Sequence, residues 1–184
     1  VLLARGYRAS GQAFVRGGRR REPRVLLAEG GLVALGHTAA EALASRHVTV
    51  VADAGIAAVA HRAHKVVIGA RAVCADGSVV ADAGSSLLVA AARAAALPVL
   101  VVASGIKIAP RGVAAADVAA RYATHPAAYA GDVISRSLAD EVGAVDIIAP
   151  VVEVLPAADI SLLVTNLGVF PPSAVARHAQ ELYG

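Results

Sequence analysis

The sequence predicts an α/β fold: a doubly wound, mainly parallel sheet with flanking helices and one small hairpin. Three observations carry this expectation. Short Val-, Leu- and Ile-rich runs alternate with amphipathic stretches, the rhythm of strands joined by crossover helices. Those runs are apolar throughout, as in strands buried on both faces. Finally, 184 residues, 57% hydrophobic and 17% charged, suffice for one well-formed core and are too apolar for a disordered chain.

Taken in order, Val1 to Ala4 reads as a strand and Arg8 to Arg21 as a helix with Ala9, Ala13 and Phe14 inward. Val25 to Ala28 is the second strand. A Gly36-His37 turn opens a helix from Thr38 to Ser45, and the β-branched run Val48 to Val51 is the third strand. Gly55 to Ala63 is a short helix and Lys65 to Gly69 the fourth strand. Ala72 to Cys74 and Ser78 to Val80 flank Ala75-Asp76-Gly77; Asp-Gly between apolar runs is a tight-turn signal, so a hairpin is predicted. Ser85 to Ala96 is a helix, and Pro98 opens the fifth main strand, Val99 to Ala103. Residues 112–140, Ala-rich with scattered charge, read as loop plus short helix. Ile160 to Val164 is the last strand. The Thr165-Asn166 and Gly168 turn, the Pro171-Pro172 stop and a Ser173 to Tyr183 helix then form a tail that reads as a docking element. No internal repeat or linker interrupts the chain, so residues 1–184 are expected to form a single domain.

Composition narrows the function classes. No run of about 18 apolar residues exists; the richest stretch, Leu87 to Ala96, contains Arg93 and precedes Pro98. A membrane partner is therefore not expected. One cysteine, Cys74, excludes an internal disulfide and any multi-cysteine metal site. No apolar leader segment is present, and the absence of an initiator Met is what a fragment would show. Arg16, Arg19, Arg20, Arg21 and Arg24 form a basic cluster. It sits where cations complement the end of a helix, and with aromatics at 3% no stacking residues accompany it, so direct nucleic acid binding is not expected.

Motifs for nucleotide and hydrolytic chemistry are missing. There is no Gly-x-Gly-x-x-Gly, no phosphate loop ending in Gly-Lys-Ser/Thr and no Gly-x-Ser-x-Gly. His61 and His64 share a spacing that would place both on one helix face, but no third ligand accompanies them; no metal and no cofactor are expected. His37 follows a strand and a Gly turn, at the rim where ligand crevices of α/β folds form, and is either a pocket or interface residue or a polar turn residue. Asp53 ends the third strand. It is either a crevice carboxylate or the N-cap of the helix at Gly55, the cap being favoured.

The order of several segments carries a resemblance. These are Val48 to Ala54, Lys65 to Ala70, Ala75-Asp76-Gly77-Ser78, Gly84-Ser85, Thr165-Asn166-Leu167-Gly168, Pro172 to Val175 and Glu181-Leu182-Tyr183. Together they resemble the superfamily of the regulatory subunits (alpha, beta and delta) of eukaryotic translation initiation factor 2B. That superfamily also includes sugar-phosphate isomerases acting on methylthioribose 1-phosphate and ribose 1,5-bisphosphate. Asp53 to Val59 with Arg62 and Lys65-Val66, Ala28-Glu29 with Gly36-His37, Ile106 to Pro110 and the terminal Glu181-Leu182-Tyr183 look most like beta; Leu167-Gly168-Val169 with Pro172 to Val175 is nearer alpha.

The resemblance implies a Rossmann-like C-terminal domain, which in the family follows an N-terminal helical domain not contained in these 184 residues. It implies a regulatory, non-catalytic, cytoplasmic subunit of the guanine-nucleotide exchange complex, with catalysis in the epsilon subunit. The implied partners are the sister subunits delta, gamma, epsilon and alpha, together with initiation factor 2, whose phosphorylation the complex senses; in isolation a homodimer is implied. The isomerases place a carboxylate after the Ile/Val-Gly-Ala strand end and an Asn-Lys pair before the later Gly-Thr. Here those positions read Arg71 and Ala81-Asp82. A cation cannot serve as a general base, so an isomerase is the alternative reading. Candidate crevice or interface residues are His37, Asp53 and Arg71 at the rim, with Thr165, Asn166, Phe170 and Tyr183 in the tail.

Overall fold

The computed structural model describes residues 2–5, 24–30, 35–43, 47–122 and 150–184. The predicted helix from Arg8 to Arg21 lies outside the described residues. So do most of the basic cluster and the later part of 112–140; Arg24 of that cluster is exposed just before the second strand.

The described elements are β1 (Leu2–Arg5), β2 (Val25–Ala28), α1 (Leu35–Leu43), β3 (Val48–Val51), α2 (Ile56–Val59), β4 (Lys65–Gly69), β5 (Ala72–Val73), β6 (Val79–Asp82), α3 (Ser85–Ala94), β7 (Val99–Val102), α4 (Ala115–Tyr122), β8 (Val152–Leu155), β9 (Leu162–Thr165), β10 (Gly168–Phe170) and α5 (Val175–Tyr183). Seven strands form one sheet in the order β10-β9-β7-β4-β1-β2-β3, parallel except for β10. The chain runs outward from β1 through β2 and β3, then returns to build β4, β7 and β9 on the other side. The strand order therefore reverses between β1 and β4, the point at which open parallel sheets form their ligand crevice.

Side chains of successive strand residues point to opposite faces, and the core divides accordingly. Leu26, Ala28, Val66, Ile68, Val99, Val101 and Leu163 join Ile56, Leu88, Ala92, Val175 and Ala179 of the helices on one face. Val25, Leu27, Val67, Leu100 and Val102 face the other way and meet Ala39, Ala40 and Leu43 of α1. Helices on both faces make the sheet doubly wound and explain why its central strands are mainly apolar. Full burial of a side chain such as Ile68 or Leu88 contributes about 1.5–3 kcal/mol.

The predicted hairpin is present, and it belongs to a second sheet, β5-β6-β8, antiparallel throughout. Val73, Val79, Ala81 and Leu155 extend the main core. Ala72, Cys74, Val80 and Val152 form the opposite face with Val118 of α4. At the tip, Asp76 Oδ1 accepts the N–H of Ser78 at 2.9 Å and its hydroxyl at 2.5 Å. Gly77 has φ +85°, and a Cβ there would lie 2.7 Å from the carbonyl oxygen of Pro172, so the hairpin tip rests on the chain that leads into α5. Cys74 is buried, and burial pushes its thiol pKa up.

Several predicted boundaries move. α1 starts at Leu35, so Gly36-His37 lies inside its first turn instead of preceding it. The Gly55 to Ala63 helix is a composite of 3₁₀ turns around the single α-turn of α2. α3 ends at Ala94 because Ala96 adopts φ 50° and Leu97 N–H donates to Ala92 O at 2.8 Å, a left-handed cap of the Schellman type. The expected last strand is followed by another: β9 turns through Asn166-Leu167 into β10. β8 was not anticipated either.

Two stability changes follow from these local geometries. Ala96→Gly is expected to raise unfolding free energy by about 1 kcal/mol, since glycine carries no left-handed penalty; equilibrium denaturation measures it. Hydrogen bonds from the Ser78 side chain and backbone hold the Asp76 carboxyl pKa below its ordinary 3.8. Because the folded value is the lower one, its stabilisation is complete above the ordinary value and is lost as pH falls through the folded value. Asp76→Asn is expected to flatten that acid limb in a pH series of thermal melts.

Candidate functional site at the carboxyl ends of the parallel strands

The crevice position is defined by backbone: the carboxyl ends of β1, β2, β3, β4 and β7 open on one edge of the sheet. The segment after β2 is drawn tight there. Glu29 N–H donates to Val51 O, and Gly36 N–H to Glu29 O at 2.9 Å. A Cβ at Gly36 would lie 2.1 Å from Ala28 O, so α1 approaches β2 only because this residue has no side chain.

His37 is exposed at the start of α1, with Nε2 3.6 Å from Glu29 Oε1. Asp53 does not serve as the expected N-cap. It lies inside the 3₁₀ turn that Ala52 precedes, and its Oδ1 accepts the N–H of Gly30 at 3.2 Å. The carboxylate thus ties the end of β3 to the end of β2 in preference to capping its own turn. His37 lies in the first turn of α1, after β2, and Asp53 just after β3.

Arg71 follows β4, and its Nε donates to Asp82 Oδ1 at 2.7 Å. The guanidinium is partly exposed, so the pair contributes about 0.2–1 kcal/mol to stability; its larger effect is on local charge. Next to it, Lys107 Nζ donates to Ala70 O at 2.6 Å. At the N-terminus of α3, Ser86 N–H and hydroxyl donate to the two oxygens of Glu153, the hydroxyl at 2.9 Å. A helix N-terminus favours an anion, and here the anion is a carboxylate of β8.

The tail residues separate. Asn166 stays at the carboxyl edge, where Oδ1 accepts the N–H of Gly105 at 2.6 Å, and Thr165 Oγ1 closes its own turn by accepting Leu167 N–H and donating to Gly168 O, both at 3.0 Å. Phe170 is only 7% exposed. Its ring packs on His178 with centroids 4.2 Å apart, so it serves this chain's own core and offers no outward contact. Tyr183 has an exposed ring whose hydroxyl donates to Ile108 O at 2.7 Å. With Val175 and Ala179 in the main core, the tail is also an integral layer of the domain.

His61 and His64 are both exposed beside β4, and no cluster of three or more metal-ligating side chains exists among the described residues. No described helix is long and apolar enough to cross a membrane. Sequence reasoning did not pick out Asp82, Ser86, Lys107 or Glu153 as rim residues. The only available signal was the departure of Asp82 from the Asn-Lys pattern.

Residues 13–172 match the model of the initiation factor 2 subunit family. The chain belongs to that family. It is 29% identical over 191 residues to translation initiation factor eIF2B subunit beta of Schizosaccharomyces pombe, a match covering 100% of this chain and 47% of that protein. It is also 28% identical over 148 residues to ribose 1,5-bisphosphate isomerase of Haloferax volcanii, covering 74% of this chain and 41% of the isomerase. The chain thus spans somewhat under half the length of these curated relatives. Among solved structures, a chain of the tetrameric eIF2B-beta2-delta2 complex of Chaetomium thermophilum superposes with a TM-score of 0.69 at 21% identity, over 99% of this chain and 55% of that one. At that identity the likeness shows the fold, and it agrees with the Rossmann-like expectation.

The pairing at α3 has a measurable consequence. Glu153→Ala is expected to lower unfolding free energy by about 1 kcal/mol, the scale of a carboxylate at a helix N-terminus. The loss should shrink in high salt, and denaturation at two ionic strengths checks both effects.

Proposed function

We propose that this chain is a regulatory, non-catalytic subunit of the initiation factor 2B guanine-nucleotide exchange assembly, most like beta. In this reading it acts in assembly and in binding initiation factor 2 and sensing its phosphorylation, in the cytoplasm, with delta, gamma, epsilon and alpha subunits as partners. The observation that carries the reading is the Arg71–Asp82 pair. Arg71 stands where the resemblance to the isomerases places a carboxylate, and Asp82 where it places a lysine. The pair inverts both charges: the base is replaced by a cation that cannot accept a proton, and the phosphate-binding cation by an anion. Glu153 of β8, paired opposite Ala81, adds a second negative charge at the N-terminus of α3, further disfavouring a sugar phosphate.

An assembly role draws support from the edge of the main sheet. β10 has no outer neighbour among the described residues. Val169 is 61% exposed and Ile106 84% exposed, and Leu167 lies against Gly105, the neighbour of Ile106. No charged residue occurs from Ile160 to Ala176, so this edge lacks the charges that ordinarily guard an exposed strand. A subunit contact burying well over about 2,000 Å² is the scale for an obligate assembly.

The isomerase reading draws on the 28% identity to ribose 1,5-bisphosphate isomerase and has the opposed charges against it. Two measurements separate the readings. The full-length protein isolated from its own cells is expected to bring gamma, delta and epsilon subunits with it, and to show no turnover of ribose 1,5-bisphosphate or methylthioribose 1-phosphate. Turnover of either substrate with no co-isolated subunits would overturn the proposal in favour of the enzyme.

Removing everything after Pro172 is a poor test of docking, because Val175 and Ala179 are core residues. Val169→Glu is the better probe. It is expected to keep the circular dichroism spectrum and weaken association at least about tenfold, as a charge on a buried edge should; unchanged mass with partner in light scattering would exclude the hairpin edge as the contact.

A further inference from the structure

Residues 104–112 leave the end of β7 and cross to the small sheet before α4. Parts of the chain far away in sequence hold this strap at three places. At its start, Gly105 N–H donates to Asn166 Oδ1 at 2.6 Å. In its middle, Ile108 makes a parallel bridge to Val73 and Ala109 N–H donates to Val73 O at 2.7 Å. From α5, the Tyr183 hydroxyl donates to Ile108 O at 2.7 Å, and Gln180 Oε1 accepts Arg111 Nη1 at 3.2 Å. Between these holds Lys107 reaches Ala70 O, at the carboxyl end of β4 and one residue before Arg71.

We infer that α5 is a latch: the phenol of Tyr183 holds the strap 104–112 down and thereby sets the Lys107 ammonium at the crevice. The Ile108 side chain, 1% exposed, anchors the centre of the strap. The latch itself is reachable from solvent, since the Tyr183 ring and Leu182 are exposed at the end of α5. A neutral hydrogen bond shifts an opening equilibrium by about two- to tenfold, enough to release a local segment without opening the domain. The inference concerns the described geometry alone and stands whether or not the proposed subunit role holds.

The test is amide hydrogen exchange on the full-length protein carrying Tyr183→Phe, which keeps the ring and deletes the donor. The amides of Ile108 and Ala109 are expected to exchange about fivefold faster, with the β7 amides unchanged. Acylation of Lys107 by a small amine-reactive ester is expected to rise relative to Lys65, the other lysine of these 184 residues. Gln180→Ala, which removes the second hold from α5, is expected to act in the same direction. Unchanged strap exchange in both variants would overturn the latch. So would equal acceleration of strap and β7, which would make the strap part of the global opening unit.

Discussion

Everything in this molecule depends on one constraint: a parallel sheet has to be covered on both faces. Parallel strands cannot be joined by tight turns, so each connection crosses a face and deposits cover there. Val66 and Ile68 look into one core and Val67 into the other, so β4 cannot stand without both layers. The same rule aligns the carboxyl ends of β1, β2, β3, β4, β7 and β9 on one edge. Arg71 and Asn166 share that edge because of strand direction, although they lie far apart in the chain.

At that edge the protein satisfies its own charges. Asp82 takes Arg71, Glu153 takes the N-terminus of α3, and a backbone carbonyl takes Lys107. The N-terminus of α3, where an anion is favoured, is thus occupied from within. A shared fold does not by itself decide the chemistry, because function resides in the site and not in the scaffold. The family assignment and the Arg71–Asp82 pair are therefore separate pieces of information: the first comes from the whole chain, the second from two side chains at the site.

The legible parts of the fold were those with strong local signals. β2, β3 and β4 came out at their observed boundaries because each is a short, mainly aliphatic run flanked by polar or turn residues, too short for a helix. The Asp76-Gly77 tip was legible because its chemistry is local. β8 escaped because Val152-Glu153-Val154-Leu155 is short and half-buried, held mainly by pairing with β6. β10 escaped because three residues carry no period. In the site, the strand ends alone put His37 and Asp53 near the sheet edge, but the Asp53 acceptor role depends on Gly30, 23 residues away. Phe170 reads equally as a contact residue or as ordinary packing in the sequence, and the fold of α5 over it, bringing His178 to its ring, makes it core.

The buried thiol of Cys74 has a practical side. Its sulfur is enclosed between the small sheet and α4, and burial disfavours the thiolate, the form that reacts with alkylating probes. The chain is therefore close to a natural cysteine-free background. A single cysteine placed at an exposed position such as Val169 would be its one readily labelled thiol, and protection of that thiol in a cell extract would show whether the sheet edge is covered before any partner is identified.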